Sequence, residues 1–418
     1  MAKFSITGGK SLHGEIHIRG AKNAALKMMA ASLLTAEPVE LQNVPDIKDI
    51  RTMIKILEHL GATIDFRDNT MNINCSGITL KNPDHDLVKH MRASIVIVGP
   101  LLARFGNISI PQPGGCLIGA RPIDTHVNAL RQLGVNIEQT NDKYNFSVKH
   151  LIGHTIILEE MSVTATENVL MAAVLAKGTT EIRLAASEPE IEDLAVMLNS
   201  MGAKIRGAGT SKITIEGVQK LHGVTHRILP DRIEAGTFAI AAAVSRGDVK
   251  ISGIIPEHLD SILQKFQQAN INFSVEHGDT LYVKPTTIFR PISFDTRPHP
   301  GFPTDLQAPM AVLLTQANGT SKIFETMYEG RLGYVTELMK MGANIKTIDA
   351  HTIIVTGPTP LYGRSITSFD IRAGATLIIA ALIAQGPSII DRVELVDRGY
   401  EKIDERLRSL GADINRIS

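Results

Sequence analysis

A short glycine turn recurs at nearly even intervals along this 418-residue chain and limits the folds that are open to it. Its copies are LGATI at 60–64, LGVNI at 133–137, MGAKI at 201–205, MGANI at 341–345 and LGADI at 410–414, with a weaker copy, QQANI, at 267–271. The intervals between the second residues of successive copies are 73, 68, 66, 74 and 69 residues. Repetition at a fixed period indicates one structural unit used several times. We therefore predict six repeated units.

Each unit also contains a helix pattern made of small apolar residues. The six segments are AALKMMAASLL, ASIVIVGPLLA, TENVLMAAVLA, AGTFAIAAAVS, LQAPMAVLLTQ and AGATLIIAALIA. A helix that is apolar on every face has to be buried on every face. An amphipathic helix follows, for example with Ile50, Ile54 and Leu57 on one face, and the glycine turn ends it. Because one unit cannot bury its central helix alone, we predict two domains, each enclosing three such helices within sheets.

The composition argues against several classes of protein. Lys+Arg and Asp+Glu are both 43, so the basic surplus typical of a nucleic-acid binder is missing. Two cysteines, Cys75 and Cys116, are too few for a disulfide framework and suit a reducing compartment. The N-terminal sequence does not resemble a signal peptide, and the longest apolar stretch, 373–384, is too short to cross a bilayer. We expect a cytoplasmic protein without membrane, nucleic-acid, metal or organic-cofactor partners.

Polar residues collect at the start of the buried helix in all six units. Free N–H groups and a partial positive charge make such a helix start attractive to phosphates and carboxylates. Capping accounts for some of the Ser, Thr, Asn and Asp residues, and structural ion pairs are the alternative for Lys and Arg. We favour an anion site. The residues are Lys22 and Asn23; Arg92 and Ser94; Ser162, Thr164 and Thr166; Asp231, Arg232 and Glu234; Thr304 and Asp305; Asp370 and Arg372.

A second group of polar residues lies in the loop before each outer helix. In the second unit this loop reads PQPGGCLIGARPID at 111–124 and contains Cys116 close to Arg121. A nearby cation favours the thiolate and raises the reactivity of a cysteine, whereas Cys75 lies in a strand pattern and is expected to be inert. The residues of this group are Lys48; Arg121 and Asp124; Glu188 and Glu190; Glu257; Arg331; Asp397 and Arg398.

Several motifs in these loops and helix starts resemble one family along the whole chain. The segments are GAKNAAL at 20–26, MRAS at 91–94, PGGCLIGARPID at 113–124, LPDRIEAGTF at 229–238, FPTDLQA at 302–308 and DRGYEKID at 397–404. They resemble the UDP-N-acetylglucosamine 1-carboxyvinyltransferases of the enolpyruvyl transferase family. The resemblance implies a two-domain inside-out α/β barrel of six βαβαββ-type units, three per domain, with buried helices. It implies one domain at 22–229 with the Cys116 loop, another at 1–21 and 230–418 with Asp305 and Arg398, and an active-site cleft between them.

The resemblance also implies a reaction and a set of site residues. The enolpyruvyl group of phosphoenolpyruvate would pass to the 3-hydroxyl of UDP-N-acetylglucosamine with release of phosphate, the first committed step of peptidoglycan precursor synthesis. Asp305 would be the base, Cys116 the acid at C3, and Lys22 and Arg398 would also be catalytic. The substrate-binding residues carried over are Lys22, Asn23, Arg92, Arg121, Pro122, Ile123, Asp124, His126, Ser162, Val163, Thr164, Asp305, Met327, Arg331, Arg372 and Arg398.

Three alternatives compete with this interpretation. A shikimate-type enolpyruvyl transferase would have the same six-unit fold but would lack the PGGC loop, which this chain contains. A ring-like clamp would need a basic inner surface, which the neutral charge disfavours. A catalytically silent paralogue would have lost polar residues, yet every matched position is filled. We expect a monomer that acts on small-molecule substrates.

The resemblance predicts inactivation by fosfomycin, an epoxide that alkylates the cysteine of the PGGC loop. We expect Cys116→Ala to abolish covalent labelling, because no thiolate remains to open the epoxide, whereas Cys75→Ala should leave labelling unchanged. Mass spectrometry of the intact protein after incubation with fosfomycin measures both results. A labelled adduct that survives in Cys116→Ala would contradict the assignment.

Overall fold

The recurring glycine turn gives the backbone after each outer helix a left-handed residue. We describe a computed structural model of the chain over residues 2–79, 82–111, 123–140 and 142–417. The turn glycines, at positions 61, 134, 202, 342 and 411, have φ between +90° and +109°, a region that a residue without Cβ enters at little cost. The following N–H closes the turn on a carbonyl five residues earlier, as from Ala62 to Leu57 at 3.0 Å.

The sixth copy of the turn is built on an asparagine, which corrects the register assigned from sequence. Asn270 has φ of +63°, and the N–H of Ile271 donates to Phe266 O at 2.9 Å, as in the other copies. Asn270 therefore occupies the glycine position, where the sequence register had placed Gln268. Asparagine is among the few residues besides glycine that visit this conformation routinely, so the repeat is conserved in shape although its letters differ.

Apart from the short helix His85–His90, the helices fall into two alternating sets, buried central helices and amphipathic outer ones. The central set comprises α1 (Lys22–Ala31), α4 (Val98–Phe105), α6 (Val163–Ala173), α8 (Arg232–Val244), α10 (Gln307–Leu314) and α12 (Ile371–Ile383). The α-helices are α1 (Lys22–Ala31), α2 (Lys48–Leu60), α3 (His85–His90), α4 (Val98–Phe105), α5 (Asp124–Gln132), α6 (Val163–Ala173), α7 (Pro189–Ser200), α8 (Arg232–Val244), α9 (Asp260–Gln268), α10 (Gln307–Leu314), α11 (Tyr334–Lys340), α12 (Ile371–Ile383) and α13 (Ile403–Ser409). Short 3-10 segments are Ser32–Leu34, Arg92–Ile97, Pro256–Leu259, Thr304–Leu306, Arg331–Gly333 and Val393–Arg398.

The strands are short and separate the helices in a regular order. They are β1 (Lys3–Thr7), β2 (His13–His17), β3 (Val39–Gln42), β4 (Thr63–Arg67), β5 (Thr70–Asn74), β6 (Asn107–Pro111), β7 (Asn136–Gln139), β8 (Lys143–Ser147), β9 (Thr155–Ile157), β10 (Thr179–Arg183), β11 (Lys204–Arg206), β12 (Lys212–Glu216), β13 (Val224–Arg227), β14 (Asp248–Ser252), β15 (Phe273–Glu276), β16 (Thr280–Val283), β17 (Phe294–Asp295), β18 (Gly319–Phe324), β19 (Asn344–Thr347), β20 (Thr352–Gly357), β21 (Ser365–Thr367), β22 (Pro387–Asp391) and β23 (Asp413–Ile417).

These strands form one sheet per repeat. Over the residues described, the sheet orders are β13-β3-β5-β4, β11-β12-β10-β9, β6-β8-β7, β15-β16-β14-β2, β17-β18-β20-β19 and β21-β22-β1-β23. Each four-stranded sheet contains two antiparallel pairs of neighbouring strands and one parallel pair at an edge, such as β9 with β10. The run β9, α6, β10, α7, β11, β12 shows the βαβαββ order directly. The predicted α/β fold of repeated units with buried helices is confirmed.

The described residues divide into two compact units. One, the central unit, comprises the described residues between Gly20 and Leu229; the other, the terminal unit, comprises those up to Arg19 and from Pro230 onward. In the terminal unit α8, α10 and α12 contact one another and form the centre of its apolar core. In the central unit α4 and α6 are in contact, and α1 contacts the 3-10 segment before α4.

The first strands of the chain complete sheets whose other strands lie far along the sequence. Strand β1 pairs antiparallel with both β22 and β23, and β2 pairs parallel with β14. These pairings join the strands before residue 21 to the C-terminal half of the chain. No helix in the described part of the chain is long and apolar enough to span a membrane.

Candidate functional site

Lys22 and Asn23 occupy the first turn of α1, which has no side-chain cap. Lys22 Nζ lies 3.5 Å from Asp49 Oδ2, and Asp49 is buried in the first turn of α2. A cation beside a helix N-terminus is unfavourable, and the Asp49 carboxylate compensates for this. The Lys22 side chain retains 13% of its exposure, so its ammonium is held in place and still open to solvent.

One turn further along α1, a buried ion pair links this helix to α6. Lys27 Nζ donates to Asn23 O at 3.1 Å and lies 3.0 Å from Glu167 Oε2. Glu167 is fully buried, and this burial raises its pKa to about 7; Lys27 opposes the shift, while Glu190 and Glu188 add to it. The first turn of α1 is thus tied through Lys27 to a carboxylate that titrates near neutral pH.

The start of α6 is also uncapped by side chains. Ser162 precedes the helix without a side-chain hydrogen bond to it, and Val163 and Thr164 form its first residues. Orphan N–H groups at a helix start favour a phosphate or carboxylate ligand. Thr164 and Ser162 are half-buried, so the geometry fits the predicted anion site.

The segment that leads into α5 and forms its first turn contributes one residue to the start of α6. Ile123 is buried before α5, and Asp124 is exposed in its first turn. His126 is 4% exposed, and its Nε2 lies 3.0 Å from Thr164 Oγ1. The structure therefore brings His126, predicted as a direct substrate contact, against Thr164.

In the terminal unit, Asp305 is held between two buried arginines. Its Oδ1 is paired with Arg331 Nη2, and its Oδ2 accepts from Arg372 Nε at 2.9 Å and lies 2.8 Å from Arg372 Nη2. Both guanidinium groups are nearly inaccessible, whereas the Asp305 side chain is 27% exposed. Burial is the strongest single influence and acts to lower the pKa of both arginines, but the combined attraction of Asp305 and other nearby groups, such as Asp370 for Arg331 and Tyr400 for Arg372, raises each pKa. Asp305 is the accessible member of a fixed charge cluster.

Tyr400 and Asp370 fix the position of Arg372. Its guanidinium carbon lies 5.2 Å from the centre of the Tyr400 ring, a cation–π geometry. The Tyr400 hydroxyl lies 2.9 Å from Thr237 Oγ1, and burial raises the Tyr400 pKa, so this phenol stays neutral. Asp370 caps α12 by accepting from the N–H of Arg372 at 2.7 Å.

Thr304 and Met327 converge on one fully buried carboxylate, Glu325. Thr304 Oγ1 donates to Glu325 Oε2 at 2.8 Å, and the N–H of Met327 donates to Oε1 at 2.8 Å. Glu325 thereby fixes the segment that precedes Asp305 and the backbone of Met327. Arg398, the last residue of the 3-10 segment after β22, is half-buried.

Some of the predicted site residues cannot be placed. Cys116, Arg121 and Pro122 lie outside the described residues, and the Arg92 side chain lies outside them too, although its backbone begins a 3-10 segment. Their roles stay predictions. Cys75 is buried, and burial raises its pKa to about 12 against the opposing charge of Arg104, which agrees with the expectation of an inert thiol.

Sequence reasoning missed several residues that support these groups, Glu325 among them. Asp49 pairs with Lys22, Lys27 pairs with Glu167, and Asn168 bonds to His126 at 3.1 Å. A signal was present, because Glu167, Asn168 and Lys27 are polar residues inside helix patterns that are otherwise apolar. Their partners lie on other helices, which periodicity within one segment does not reveal.

A family model and several curated relatives match this chain over nearly its whole length. The model described as EPSP synthase (3-phosphoshikimate 1-carboxyvinyltransferase) matches residues 6–407. A protein named UDP-N-acetylglucosamine 1-carboxyvinyltransferase from Solibacter usitatus is 46% identical over 418 residues and is covered over 100% of both chains. Its namesake from Yersinia pestis (strain Pestoides F) is 47% identical over 420 residues, covering 100% of this chain and 99% of the relative.

Solved structures agree with this likeness. The enolpyruvyl transferase NikO from Streptomyces tendae superposes with a TM-score of 0.90 at 25% identity, covering 100% of this chain and 99% of that one. EPSP synthase from Acinetobacter baumannii gives a TM-score of 0.77 at 20% identity over 100% of both chains. The second comparison supports the fold alone.

The raised pKa of Glu167 predicts a pH-dependent contribution to stability. Because the folded pKa of about 7 lies above the ordinary value of 4.5, the contribution is full below pH 4.5 and is lost as the pH rises through 7. Relative to Glu167→Gln, the wild-type free energy of unfolding should therefore fall by roughly 1–3 kcal/mol between pH 4.5 and 8. Urea unfolding at several pH values measures it.

Glu192→Gln is the matched control for this prediction, since Glu192 is exposed on α7. The free energy of unfolding of Glu192→Gln should depend on pH in the same way as that of the wild type. If the free energies of unfolding of wild type and Glu167→Gln change with pH in parallel, Glu167 does not titrate in this range.

Proposed function

This chain belongs to the EPSP synthase family of enolpyruvyl transferases, and we propose that it uses UDP-N-acetylglucosamine as acceptor. It transfers the enolpyruvyl group of phosphoenolpyruvate to the 3-hydroxyl of that sugar and releases phosphate. The observation that carries the proposal is the 46% identity, over the full length of both chains, to a relative named for this activity.

The description of the family model names a different acceptor, 3-phosphoshikimate. That model covers the common fold, and the shikimate-type structure resembles this chain at only 20% identity. The relatives named for the nucleotide sugar are 45–47% identical. The closer likeness and the PGGC sequence at 113–116 favour the nucleotide sugar.

The chemistry is an addition followed by an elimination. In the addition, the sugar O–H bond breaks, its oxygen bonds to C2 of phosphoenolpyruvate, and a proton enters at C3. In the elimination, the bond from C2 to the phosphate oxygen breaks and a proton leaves C3, which restores the double bond. Such a reaction needs a base for the hydroxyl proton, an acid for C3, and cations for the phosphate and carboxylate.

Asp305 fits the role of the base because its position is fixed and its carboxylate remains accessible. Arg331 pairs with Oδ1 and Arg372 with Oδ2, and the 27% exposure of the Asp305 side chain leaves the carboxylate within reach of a sugar hydroxyl. The same arginines stabilise the charged form of Asp305. A rigid, correctly oriented acceptor lowers the cost of positioning at the moment of proton transfer.

Lys22 and the two uncapped helix starts fit the anion-binding roles. The Lys22 ammonium, held by Asp49, suits the phosphoenolpyruvate anion, and Asn23 beside it suits the sugar. The start of α6 at Ser162, Val163 and Thr164 suits the nucleotide diphosphate. The roles of Cys116 as the acid at C3, and of Arg92, Arg121 and Arg398 as further cationic groups, belong to the same proposal and rest on the sequence resemblance.

Phosphate release measured with two acceptors tests the proposed function directly. We expect release from phosphoenolpyruvate to depend on UDP-N-acetylglucosamine and to be undetectable with 3-phosphoshikimate. A coupled phosphate assay, with the enolpyruvyl ether identified by mass spectrometry, measures both. Release that follows 3-phosphoshikimate instead would replace the proposal with the shikimate-type activity.

Replacement of Asp305 tests the assignment of the base. Asp305→Asn keeps the shape of the side chain but cannot take up the proton, so kcat should fall by about 10²-fold or more. Asp349→Asn, an exposed residue of the same unit, serves as the control and should retain wild-type kcat. A kcat for Asp305→Asn within about threefold of wild type would exclude Asp305 as the base.

A further inference from the structure

The side chain of Asn168 is held in a single orientation by two backbone groups of the central unit. Its Oδ1 accepts from the N–H of Gly99 at 2.6 Å, and its Nδ2 donates to the carbonyl of Ile95 at 3.1 Å. A backbone N–H can only donate and a carbonyl can only accept. Asn168 is fully buried, so the positions of its amide oxygen and nitrogen are fixed without reference to any other side chain.

This orientation determines which nitrogen of His126 carries the proton. The Asn168 Nδ2 lies 3.1 Å from His126 Nδ1, and an NH₂ group offers hydrogens but no lone pair. Nδ1 must therefore accept, which places the proton of the neutral imidazole on Nε2. Nε2 lies 3.0 Å from Thr164 Oγ1, so His126 donates to the threonine hydroxyl.

Thr164 is consequently left with a hydroxyl proton to donate. Among the described residues, His126 is the hydrogen-bond partner of this hydroxyl. Thr166, on the same helix, instead donates inward to Ser162 O at 2.8 Å. Thr164 is half-buried in the first turn of α6, beside the N–H groups that the proposed function assigns to the nucleotide diphosphate.

We propose that Asn168, His126 and Thr164 form a donor relay that makes the Thr164 hydroxyl a hydrogen-bond donor to an anionic oxygen of the nucleotide diphosphate. This rests on the proposed function for the identity of the ligand. Thr164 touches the substrate and His126 is a positioning residue, because an Nε2 without a proton would accept the threonine hydrogen and leave only lone pairs of the hydroxyl facing the anion. The relay adds a side-chain donor to the backbone donors of the helix start.

Binding of UDP, which contains the diphosphate but cannot react, tests the contact by calorimetry. Thr164→Val keeps the shape and removes the hydroxyl, and it should weaken UDP binding about tenfold or more, as expected for a hydrogen bond to a charged group. The KM for UDP-N-acetylglucosamine should rise in parallel, while the KM for phosphoenolpyruvate stays unchanged. Thr164→Ser, which retains the hydroxyl, should bind UDP nearly as well as wild type.

Thr52→Val is the matched control, since the Thr52 hydroxyl on α2 donates inward to Lys48 O at 2.9 Å. It should leave UDP binding unchanged. An affinity of Thr164→Val equal to that of wild type would overturn the contact.

The relay also predicts that His126 and Thr164 act as one unit. His126→Phe should weaken UDP binding, but in the Thr164→Val background it should cause little further loss, because the hydroxyl it orients is already missing. A purely structural role would lower the stability of both backgrounds without this difference in UDP affinity.

The histidine tautomer supplies an independent test that needs no ligand. Nitrogen-15 NMR of the wild-type protein should show His126 protonated on Nε2 and not on Nδ1, with the signal identified by its loss in His126→Phe. A proton on Nδ1 would overturn the relay. If wild type neither releases phosphate with UDP-N-acetylglucosamine nor binds UDP, the ligand assignment fails with the proposed function, and an Nε2–H tautomer would still uphold the hydrogen-bond order.

Discussion

The enclosure of an apolar helix in every repeat is the constraint on which the rest of this structure depends. Helices such as α8 and α12 have no polar face, so each has to be covered on all sides. Small residues allow the covering elements to approach closely. A Cβ on Gly236 of α8 would lie 2.3 Å from a methyl carbon of Leu306, and one on Gly374 of α12 would lie 2.4 Å from Val396. Leu306 adjoins Asp305, so the packing of the core also determines where the carboxylate stands.

The same constraint explains why the chemistry gathers at helix starts. A polar group in the middle of a buried helix needs its own buried partner, as Glu167 has in Lys27 and Asn168 has in Gly99 and Ile95. Only the ends of these helices leave backbone N–H groups for a ligand. The interior partners then support the ends, since Lys27 bonds to the carbonyl of Asn23 and Asn168 acts through His126 on Thr164.

Most of the fold could be predicted from the sequence because its signals are local and repeated six times. The glycine turn and the small-residue helix can each be recognised within about 10 consecutive residues. The failure at Asn270 has a local cause as well, because asparagine took the left-handed position and shifted the apparent register by two residues. Repetition revealed the architecture even where one copy was misread.

The site was predictable only in part, because charge partners are a property of tertiary structure. The residues Lys22, Asp305, Arg331 and Arg372 stood out in sequence as polar groups at equivalent places. That both arginines bind the same carboxylate, or that His126 turns toward Thr164, follows from the packing of different helices. The role of a side chain that links groups on other elements, such as Asn168, cannot be recognised from the periodicity of its own helix. The sequence shows only that the residue is polar.

The pairing of β1 has a consequence for how the chain becomes a protein. The central unit draws all its strands from one continuous stretch, so it can form while later residues are still being added during synthesis. The terminal unit cannot, because β1 lies between β22 and β23, with Phe4 opposite Ile390 and Arg416. Strand β1 can complete its sheet only after β22 and β23 have been synthesised. The central unit can therefore form before the terminal unit, which carries Asp305.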